Sequence, residues 1–448
     1  MLTLTQAAEL VRTRKLSPME LTLECLGRIE KLNPTLNAFI TVMREQALSA
    51  AQRAEQEMAS GNYRGPLHGI PIALKDNIDT AGVRTTAASN QYRQRVPTDD
   101  AEIVRQLKLA GAVIIGKTNM HEFAFGMSGV VSAFGPARNP WDAARITGGS
   151  SSGTAAAVAV GMCVAGIGTD TAGSTRCPAA LCGVVGYRPS QGLLSNAGTV
   201  PLAESYDSPG PITRTVEDAE IILQALAPVG NPCLPPTGGK ADVAMLNAAV
   251  ARNFGSAPEP EVAACFDKAV AKIATLVAGV TDIAVVAEPH WEVRNFEIFR
   301  YHEQMYNNSP ELYDPRTLDR VRGSAGVSEF DYVRKREVAK QGSQADQVFH
   351  KVDVVLSPTV PVAAPLIRDL EMMDSAALRQ HEVKYLMANT LPFSFLWWPS
   401  VSVPCGFTKS GLPVGLQISG RPGADWTVLN LAAAYEAATE WHRQRPPV

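Results

Sequence analysis

Serines in two glycine-rich stretches are the residues of this chain most suited to covalent chemistry. The stretches read GGSSSGT at 148–154 and TDTAGS at 169–174. A serine hydroxyl attacks a carbonyl carbon effectively only when a nearby base takes its proton. Histidine is the usual base, but none lies between His121 and His290. Another side chain therefore has to act as the base.

Lys75 is the candidate for that base. It follows the apolar run 68–74, which is typical of a strand buried on both faces. The carboxyl ends of parallel strands are where α/β sheets place their ligand crevices. Burial disfavours the ammonium form, so it lowers the lysine pKa and makes a neutral amine available to accept a proton. A lysine at a strand end is often a surface residue instead, but the two serine stretches favour the base.

The first serine stretch matches two other motifs, and the sequence argues against both. GSSSG at 149–153 fits the G-x-S-x-G nucleophile elbow, which needs a strand directly before it. The preceding residues 139–147 are rich in turn formers. A phosphate-binding loop needs lysine where Thr154 stands. A loop that only caps the following alanine-rich helix stays open as an alternative.

The second serine stretch can build an anion-binding loop. Small residues in series allow successive N–H groups to point into one concavity, as in an oxyanion hole. Asp170 and Arg176 flank the small residues and could form an ion pair that holds the loop. An ordinary surface charge is the alternative for each of them.

Strands and helices alternate along the chain, and these elements must position the loops. Ser17 and Glu20 form a capping-box start for a helix that is expected to end at Asn33 and Pro34. The other predicted helices are 44–60, 100–110, 262–277 and 426–441, and the predicted strands are 68–74, 111–116, 164–167, 282–287, 352–356, 401–404 and 414–418. This alternation predicts an α/β fold with a large mixed, mostly parallel central sheet covered by helices on both faces.

Composition argues against several function classes. The chain has 46% hydrophobic and 19% charged residues and a formal charge of −3, so no basic block points to nucleic acid or a membrane surface. Seven cysteines without zinc spacing indicate reduced thiols and no metal site. The N-terminus lacks a signal-peptide pattern, and the apolar run 155–167 is too short to cross a bilayer. We therefore expect a cytoplasmic protein that uses no cofactor.

Together, the motifs resemble those of the amidase signature hydrolases. Three stretches carry the resemblance: GIPIALKDNIDTAG at 69–82, ITGGSSSGTAAAVAVG at 146–161 and GTDTAGSTRCPAALCGVVGYRPSQG at 168–192. GKTNMHEFAFG at 116–126 and the segment 399–420 are also similar to the family. The resemblance spans nearly the whole chain and implies the amidase signature fold as one domain over 1–448.

Four regions are expected within that domain. They are an N-terminal helical segment (1–60), a catalytic core (62–227), a helical insertion that caps the substrate side (228–350) and a C-terminal part that completes the sheet (351–448). The stretch 228–240, rich in proline and glycine, is the one predicted internal linker or insertion.

The resemblance implies a Ser–Ser–Lys triad. Ser174 corresponds to the nucleophile, Ser150 to a bridging serine preceded by a cis peptide bond, and Lys75 to the base. In this arrangement neutral Lys75 accepts a proton from Ser150, which takes the proton of Ser174 as that residue attacks the carbonyl.

The resemblance also assigns the groups around the substrate. The oxyanion would be bound by the N–H groups of Thr171, Ala172, Gly173 and Ser174. A loop beside the acyl group would be formed by Gly126, Met127 and Ser128, with Ser128 as a hydrogen-bond donor to the substrate. Asp170 and Arg176 would support the second loop.

The chain departs from the family pattern at three positions. The usual first loop is GGSSGGS, and here Ser152 replaces a glycine and Thr154 a serine. The usual second loop is TDTGGS, and here Ala172 replaces a glycine. Alanine keeps its N–H, so catalysis is not put in doubt, but its methyl group narrows the loop. Members that act on small urea-like or carbamate-like substrates have similar variants.

The expected function is hydrolysis of the C–N bond of a small amide or carbamate through an acyl- or carbamoyl-enzyme, with ester hydrolysis as a side activity. Aryl amides or aryl carbamates (urethanes) are one alternative, because the aromatic stretch 392–398 could form a flat-walled pocket. The other interpretation of that stretch is core packing. A carboxybiuret or allophanate hydrolase is a further alternative. The expected partner is a small molecule, with no nucleic acid or membrane and a possible homodimer.

Two other functions are compatible with the resemblance. One is the amidase subunit of the tRNA-dependent glutamine amidotransferase, although its usual R-x-M-L-G-T segment is not found in the second half of the chain. The other is a scaffold protein on an inactive amidase fold. The presence of all three triad residues argues against the scaffold.

Overall fold

The apolar runs of the sequence form the strands of one large sheet. The computed structural model describes residues 1–228, 230, 231, 233, 242–252, 256–285, 290–340 and 344–447. The strands are β1 (Phe39–Val42), β2 (Pro71–Lys75), β3 (Val113–Thr118), β4 (Arg138–Asn139), β5 (Asp142–Ile146), β6 (Ala165–Asp170), β7 (Val185–Arg188), β8 (Ser208–Thr213), β9 (Asn247–Val250), β10 (Gly279–Asp282), β11 (Val354–Pro358), β12 (Ser400–Phe407) and β13 (Pro413–Gly420).

Helices lie between most of these strands. They are α1 (Leu4–Arg12), α2 (Pro18–Leu36), α3 (Arg44–Ala59), α4 (Glu102–Leu109), α5 (Ser152–Ala159), α6 (Arg176–Cys182), α7 (Val216–Leu226), α8 (Pro260–Ile273), α9 (Trp291–Asn308), α10 (Pro315–Arg322), α11 (Glu329–Lys340), α12 (Ile367–Glu371), α13 (Ser375–His381), α14 (Leu391–Phe395) and α15 (Asp425–Ala437). A π-helical turn, Glu382–Leu386, follows α13. No helix of the described ranges is both long enough and apolar enough to cross a bilayer.

The sheet is mixed, as predicted, but it is not mostly parallel. Among the described residues eleven strands run in the order β1-β3-β2-β6-β8-β7-β12-β13-β11-β9-β10. Parallel pairing is confined to β3-β2-β6 and to β11-β9-β10, and the other six pairings are antiparallel. The mostly parallel arrangement is wrong, because hydrophobic runs do not reveal strand direction, whereas a short connection fixes it. The loop from β12 to β13 is only a few residues long, and such a loop can join only antiparallel strands.

Most predicted boundaries differ from the structure by a few residues. The capping box at Ser17 and Glu20 is present, but α2 continues through Pro34 to Leu36. Pro34 lies in the last turn and cannot donate to the carbonyl oxygen of Glu30, but the N–H of Asn37 still donates to the Asn33 carbonyl oxygen and closes the helix. In the second half, the strand predicted at 282–287 ends at Asp282, and residues 286 and 287 lie outside the described part. Most of the predicted linker 228–240 is also outside it.

The alanine-rich helix α5 packs closely against the backbone around β2 and β6. Every residue of α5 is buried, and the helix carries the first serine loop at its N-terminus. A Cβ atom on Gly153 would lie 2.2 Å from the carbonyl oxygen of Ala38, so only glycine fits there. This close packing brings the residues just before α5 to the carboxyl end of β2.

A second apolar cluster covers the same edge of the sheet. It joins Met127 and Ala172 from the two candidate loops to Val293 of α9 and Leu386 of the π-helical turn. The segment after residue 290 therefore supplies part of the wall around the serine loops.

Candidate active site

Lys75 is the last residue of β2 and is fully buried. Its Nζ lies 2.7 Å from Ser150 Oγ and 2.7 Å from Thr169 Oγ1, with the Thr169 carbonyl oxygen at 3.3 Å. The Lys75 ammonium therefore has only hydroxyl and carbonyl oxygens as hydrogen-bond partners in the described part of the chain. The structure brings Lys75 and Ser150 together.

The surroundings of Lys75 favour its neutral form. Burial lowers the pKa of Lys75 to about 7, although the negative charges of Asp207 and Asp170 act to raise it. A buried ammonium loses its hydration, and no carboxylate of the described residues contacts this one directly to compensate. A large fraction of Lys75 is therefore deprotonated at neutral pH, which a proton acceptor needs.

Each serine of the first loop has a different partner. Ser150 contacts Lys75, and the Gly149–Ser150 peptide bond is cis. The N–H of Ser151 donates to the carbonyl oxygen of Ser174 at 3.2 Å, so the two serine loops are hydrogen-bonded to each other. Ser152 Oγ donates to the backbone oxygen of Asn119 at 3.3 Å. Of these three serines, only Ser150 has a hydroxyl that is hydrogen-bonded to Lys75.

Ser174 is buried at the end of the second loop, but its hydroxyl does not contact Ser150. Its Oγ hydrogen bond is to Met127 Sδ at 3.5 Å. No hydrogen bond between the hydroxyls of Ser150 and Ser174 is present among the described residues. Of the two contacts that the resemblance implies, the one between Lys75 and Ser150 is formed, and the one between Ser150 and Ser174 is not.

Asp170 and Arg176 hold the second loop. The Asp170 carboxylate accepts hydrogen bonds from both sides of the Arg176 guanidinium at 3.0 and 2.9 Å. It also accepts from the N–H groups of Gly173 at 2.7 Å and Thr175 at 3.1 Å. Burial would raise the pKa of Asp170, but the charges of Arg176 and Arg188 lower it well below its usual range.

Three N–H groups of the second loop are free to bind an anion. In the described part of the chain, no hydrogen bond uses the N–H of Thr171, Ala172 or Ser174. The N–H of Gly173 is taken by Asp170, so it is not available as the resemblance implied. Gly173 has a φ of +121°, and a Cβ there would lie 2.1 Å from Thr390 Oγ1. Only glycine therefore allows the backbone of this loop to turn beside Thr390.

The loop 126–128 differs in detail from its expected role. The Ser128 hydroxyl donates to Glu382 Oε1 at 2.5 Å, and its N–H donates to the same oxygen at 2.9 Å. Since both donors of Ser128 are used by Glu382, the expected donation to substrate does not fit this arrangement. Met127 instead contacts Ser174, and a Cβ on Gly126 would meet the His121 ring at 2.2 Å.

A narrow cavity of about 40 Å³ opens beside Ser174. Thr171 and Ala172 of the second loop line it, together with Arg294 and Arg320. None of the aromatic residues of 392–398 lines this cavity. The core interpretation of that stretch is therefore supported. Trp398 is fully buried and packs edge-on against Phe349.

No group of three or more histidine, cysteine, aspartate or glutamate side chains in the described ranges could hold a metal ion.

The site residues that were not predicted from the sequence fall into two groups. Thr169 lies inside the second motif and could have been found from it. Asp207, Arg294 and Glu382 lie in stretches without a recognisable motif and reach the site only through the fold.

The fold and the site define a hydrolase-type centre on a mixed sheet, and comparison with known proteins identifies the family. The sequence model of the Amidase family matches residues 20–429. The chain therefore belongs to the amidase family, whose enzymes act on C–N bonds.

Curated relatives cover almost the whole chain. One of them is a glutamyl-tRNA(Gln) amidotransferase subunit from Moorella thermoacetica. This chain is 37% identical to it over 489 aligned positions, with 99% of this chain and 98% of the relative covered.

Solved structures give the same fold. A crystal structure of an amidase has a TM-score of 0.86 at 33% identity and covers 97% of this chain and 99% of its own. The native peptide amidase from Stenotrophomonas maltophilia has a TM-score of 0.83 at 29% identity, with 100% and 98% covered.

Proposed function

We propose that this protein is an amidohydrolase in which Ser174 attacks the carbonyl carbon of a small amide or carbamate, Ser150 relays the proton and Lys75 is the base. The observation that carries the proposal is the 2.7 Å contact between Ser150 Oγ and the buried Lys75 Nζ. The lowered pKa of Lys75 supports it, because a lysine that stays charged cannot accept a proton.

The first step transfers two protons as one bond forms. Ser174 Oγ turns from Met127 towards Ser150 and attacks the carbonyl carbon, while Ser150 takes its proton and gives its own to neutral Lys75. The carbonyl oxygen becomes negative and is held by the free N–H groups of the second loop, those of Thr171, Ala172 and Ser174. The loss of one such donor typically costs about 3–4 kcal/mol of transition-state stabilisation.

The second step releases the products. The protonated Lys75 returns a proton through Ser150 to the nitrogen of the leaving amine, and the C–N bond breaks to leave an ester of Ser174. A water molecule then attacks that ester, with the same relay taking its proton, and regenerates Ser174. Each proton taken by Lys75 is therefore returned within one turnover.

We further propose that the region 228–350 caps the substrate side of the core. Arg294 and Arg320 lie in this region and line the cavity beside Ser174, which supports the assignment. The sheet supplies Lys75 from β2, and the catalytic core supplies Thr171, Ala172 and Ser174 to the cavity, so the region 228–350 adds one further part of its wall.

The amidase component of a glutamyl-tRNA(Gln) amidotransferase is the second candidate, because curated relatives at 34–37% identity carry that name. In that function glutamine is the amide and the ammonia is passed on within a complex. A stand-alone hydrolase turns over simple amides as the purified chain, whereas one component of a complex depends on its partners.

The test is ammonia release from short aliphatic amides, benzamide and glutamine by the purified chain. Ser174→Ala should abolish turnover, and Ser152→Ala is the matched control because Ser152 lies in the same serine-rich site without contacting Lys75. Turnover that persists in folded Ser174→Ala protein contradicts the proposed nucleophile. Glutamine hydrolysis that appears only with partner proteins favours the second candidate.

A further inference from the structure

The cavity beside Ser174 carries an excess of positive charge. Three arginines line it: Arg294 from α9, Arg320 from α10 and Arg379 from α13. Glu382 is the one carboxylate among the described residues that line it. A small pocket with three guanidinium groups and one carboxylate attracts anions.

Arg320 forms an ion pair with the Glu382 carboxylate. Its Nη1 lies 2.8 Å from Glu382 Oε2 and also donates to the Phe125 carbonyl oxygen. The Glu382 Oε1 atom accepts from Ser128. Burial would raise the pKa of Glu382, but the charge of Arg320 holds it well below its usual value, so the carboxylate stays ionised. Arg320 and Glu382 therefore neutralise each other.

Arg294 has no such partner. Its side chain is buried, with 9% of the residue exposed, and its Nε has no hydrogen-bond acceptor among the described residues. Its one hydrogen bond there is from Nη1 to the amide oxygen of Asn295 at 3.3 Å. No carboxylate of the described residues lies within ion-pair distance of it.

Aromatic rings hold the Arg294 guanidinium in place. Its central carbon lies 4.9 Å from the centre of the Phe125 ring and 5.6 Å from that of Trp291. Contacts with the faces of these rings leave the edge of the guanidinium, where its N–H groups point, open to a ligand. Burial lowers the pKa of Arg294 to about 9, and the charges of Arg379 and Arg320 act in the same direction.

A buried guanidinium without an anion is costly, and a ligand anion would remove that cost. The planar fork of arginine matches a carboxylate, which it binds through two parallel hydrogen bonds. The exposed Arg379 lies at the same cavity and can attract the anion during binding.

We propose that Arg294 binds a carboxylate of the substrate, so that the preferred substrates are amides that carry a negative charge. The proposal rests on the proposed amide hydrolysis at Ser174. The carboxylate can belong to the acyl part of the substrate or to its amine part, and the chemistry that Arg294 recognises is the same in both.

Two substrate pairs test the proposal and separate the two positions of the charge. Succinamate and butyramide differ by a carboxylate on the acyl side, and N-acetylglycine and N-ethylacetamide differ by one on the amine side. We expect kcat/KM to favour the anionic member of one pair. Arg294→Met should reduce that preference by about 10- to 100-fold, the usual value of a hydrogen bond to a charged group. Arg294→Lys should retain part of it.

Arg300→Ala is the matched control, because Arg300 lies on the same helix α9 but is exposed and pairs with Glu303. It should leave the preference unchanged. Equal use of charged and neutral amides, or an equal loss for both in Arg294→Met, would overturn the proposal while leaving Ser174-dependent hydrolysis intact.

A binding measurement keeps the proposal testable if no amide is turned over. Succinate should bind Ser174→Ala protein in calorimetry, and the Arg294→Met substitution in that background should weaken binding by a similar factor. Thermal unfolding of each variant checks that it is folded. Succinate binding that is absent, or that is unaffected by Arg294→Met, would refute the carboxylate site whatever the outcome for hydrolysis.

Discussion

Lys75 and Lys117 are two fully buried lysines on adjacent strands, and only one of them has the surroundings of a base. Lys75 on β2 pairs in register with Thr118, and Lys117 on β3 pairs with Leu74, so their side chains leave opposite faces of the sheet. Lys117 Nζ lies 3.5 Å from Asp76 Oδ1 and 2.7 Å from Thr85 Oγ1. Lys75 contacts only hydroxyl and carbonyl oxygens among the described residues.

The surroundings of the two lysines differ by one carboxylate, that of Asp76, which contacts Lys117 directly. Burial lowers the pKa of both lysines, but the charge of Asp76 acts directly on Lys117 to raise it. Asp207 and Asp170 act on Lys75 without a hydrogen bond to its Nζ. A lysine buried among neutral oxygens can therefore exchange protons near pH 7, whereas a lysine paired with a carboxylate is held as part of an ion pair.

Among substitutions of the two lysines and their partners, the largest expected effect is on catalysis and comes from the loss of Lys75. Lys75→Met should lower kcat/KM for amide hydrolysis by about 10²- to 10⁴-fold, because the relay through Ser150 loses its proton acceptor. Steady-state ammonia release measures it, with circular dichroism to check folding. A folded Lys75→Met protein with nearly normal turnover would remove Lys75 from the mechanism.

For Lys117 the expected effect is on stability. Lys117→Met leaves Asp76 buried without its cation, which should lower the free energy of unfolding by about 3–5 kcal/mol. Denaturant unfolding measures the change. Adding Asp76→Asn should recover part of the loss, because the unpaired charge is then removed. If Lys117→Met is as stable as the parent protein and Lys75→Met is not, the assignment of the two lysines is reversed.

The pH dependence of activity tests the value of the Lys75 pKa. With a folded pKa of about 7, the neutral amine is fully present above that pH and is lost as the pH falls through it. We expect kcat/KM to fall by about tenfold per pH unit below pH 7 and to level off above it. A profile that stays flat from about pH 5.5 to 8 would contradict neutral Lys75 as the base.

The same pKa affects stability with a defined sign. The pKa of Lys75 is lower in the folded protein than in the unfolded chain, where it is about 10.4. Between about pH 7 and 10 the unfolded chain therefore binds more protons, so the contribution of Lys75 makes the free energy of unfolding rise with pH. The rise is at most about 1.4 kcal/mol per pH unit. The difference between the parent protein and Lys75→Met across this range isolates it, and identical slopes would contradict it.

The sequence predicted the elements that carry short motifs better than the contacts between distant segments. Lys75 at the end of a buried strand and Ser150 before an alanine-rich helix were both expected, because each depends on a local pattern. Arg294 and Glu382 were not expected, because they reach the cavity through packing of α9 and the π-helical turn. Strand direction was wrong for the middle of the sheet, because hydrophobic runs alone do not distinguish parallel from antiparallel neighbours.

The smallest effect concerns the hydroxyls that contact the two lysines. Thr169→Val removes the Oγ1 partner of Lys75 at nearly constant volume, and Thr85→Val does the same for Lys117. Each hydrogen bond contributes about 0.5–1.5 kcal/mol. If Lys75 is the base, Thr169→Val should change kcat/KM by a few-fold and shift the pH profile, since Thr169 Oγ1 helps to orient the Lys75 amine towards Ser150.

Thr85→Val is the matched variant for this comparison. It should lower only the free energy of unfolding, because Lys117 pairs with Asp76 on the opposite face of the sheet from Lys75 and takes no part in the reaction. The pH profile is the decisive measurement, since a purely structural effect changes stability without moving the pH at which activity falls. Equal shifts in both variants would mean that the surroundings of Lys75 are not what sets its pKa.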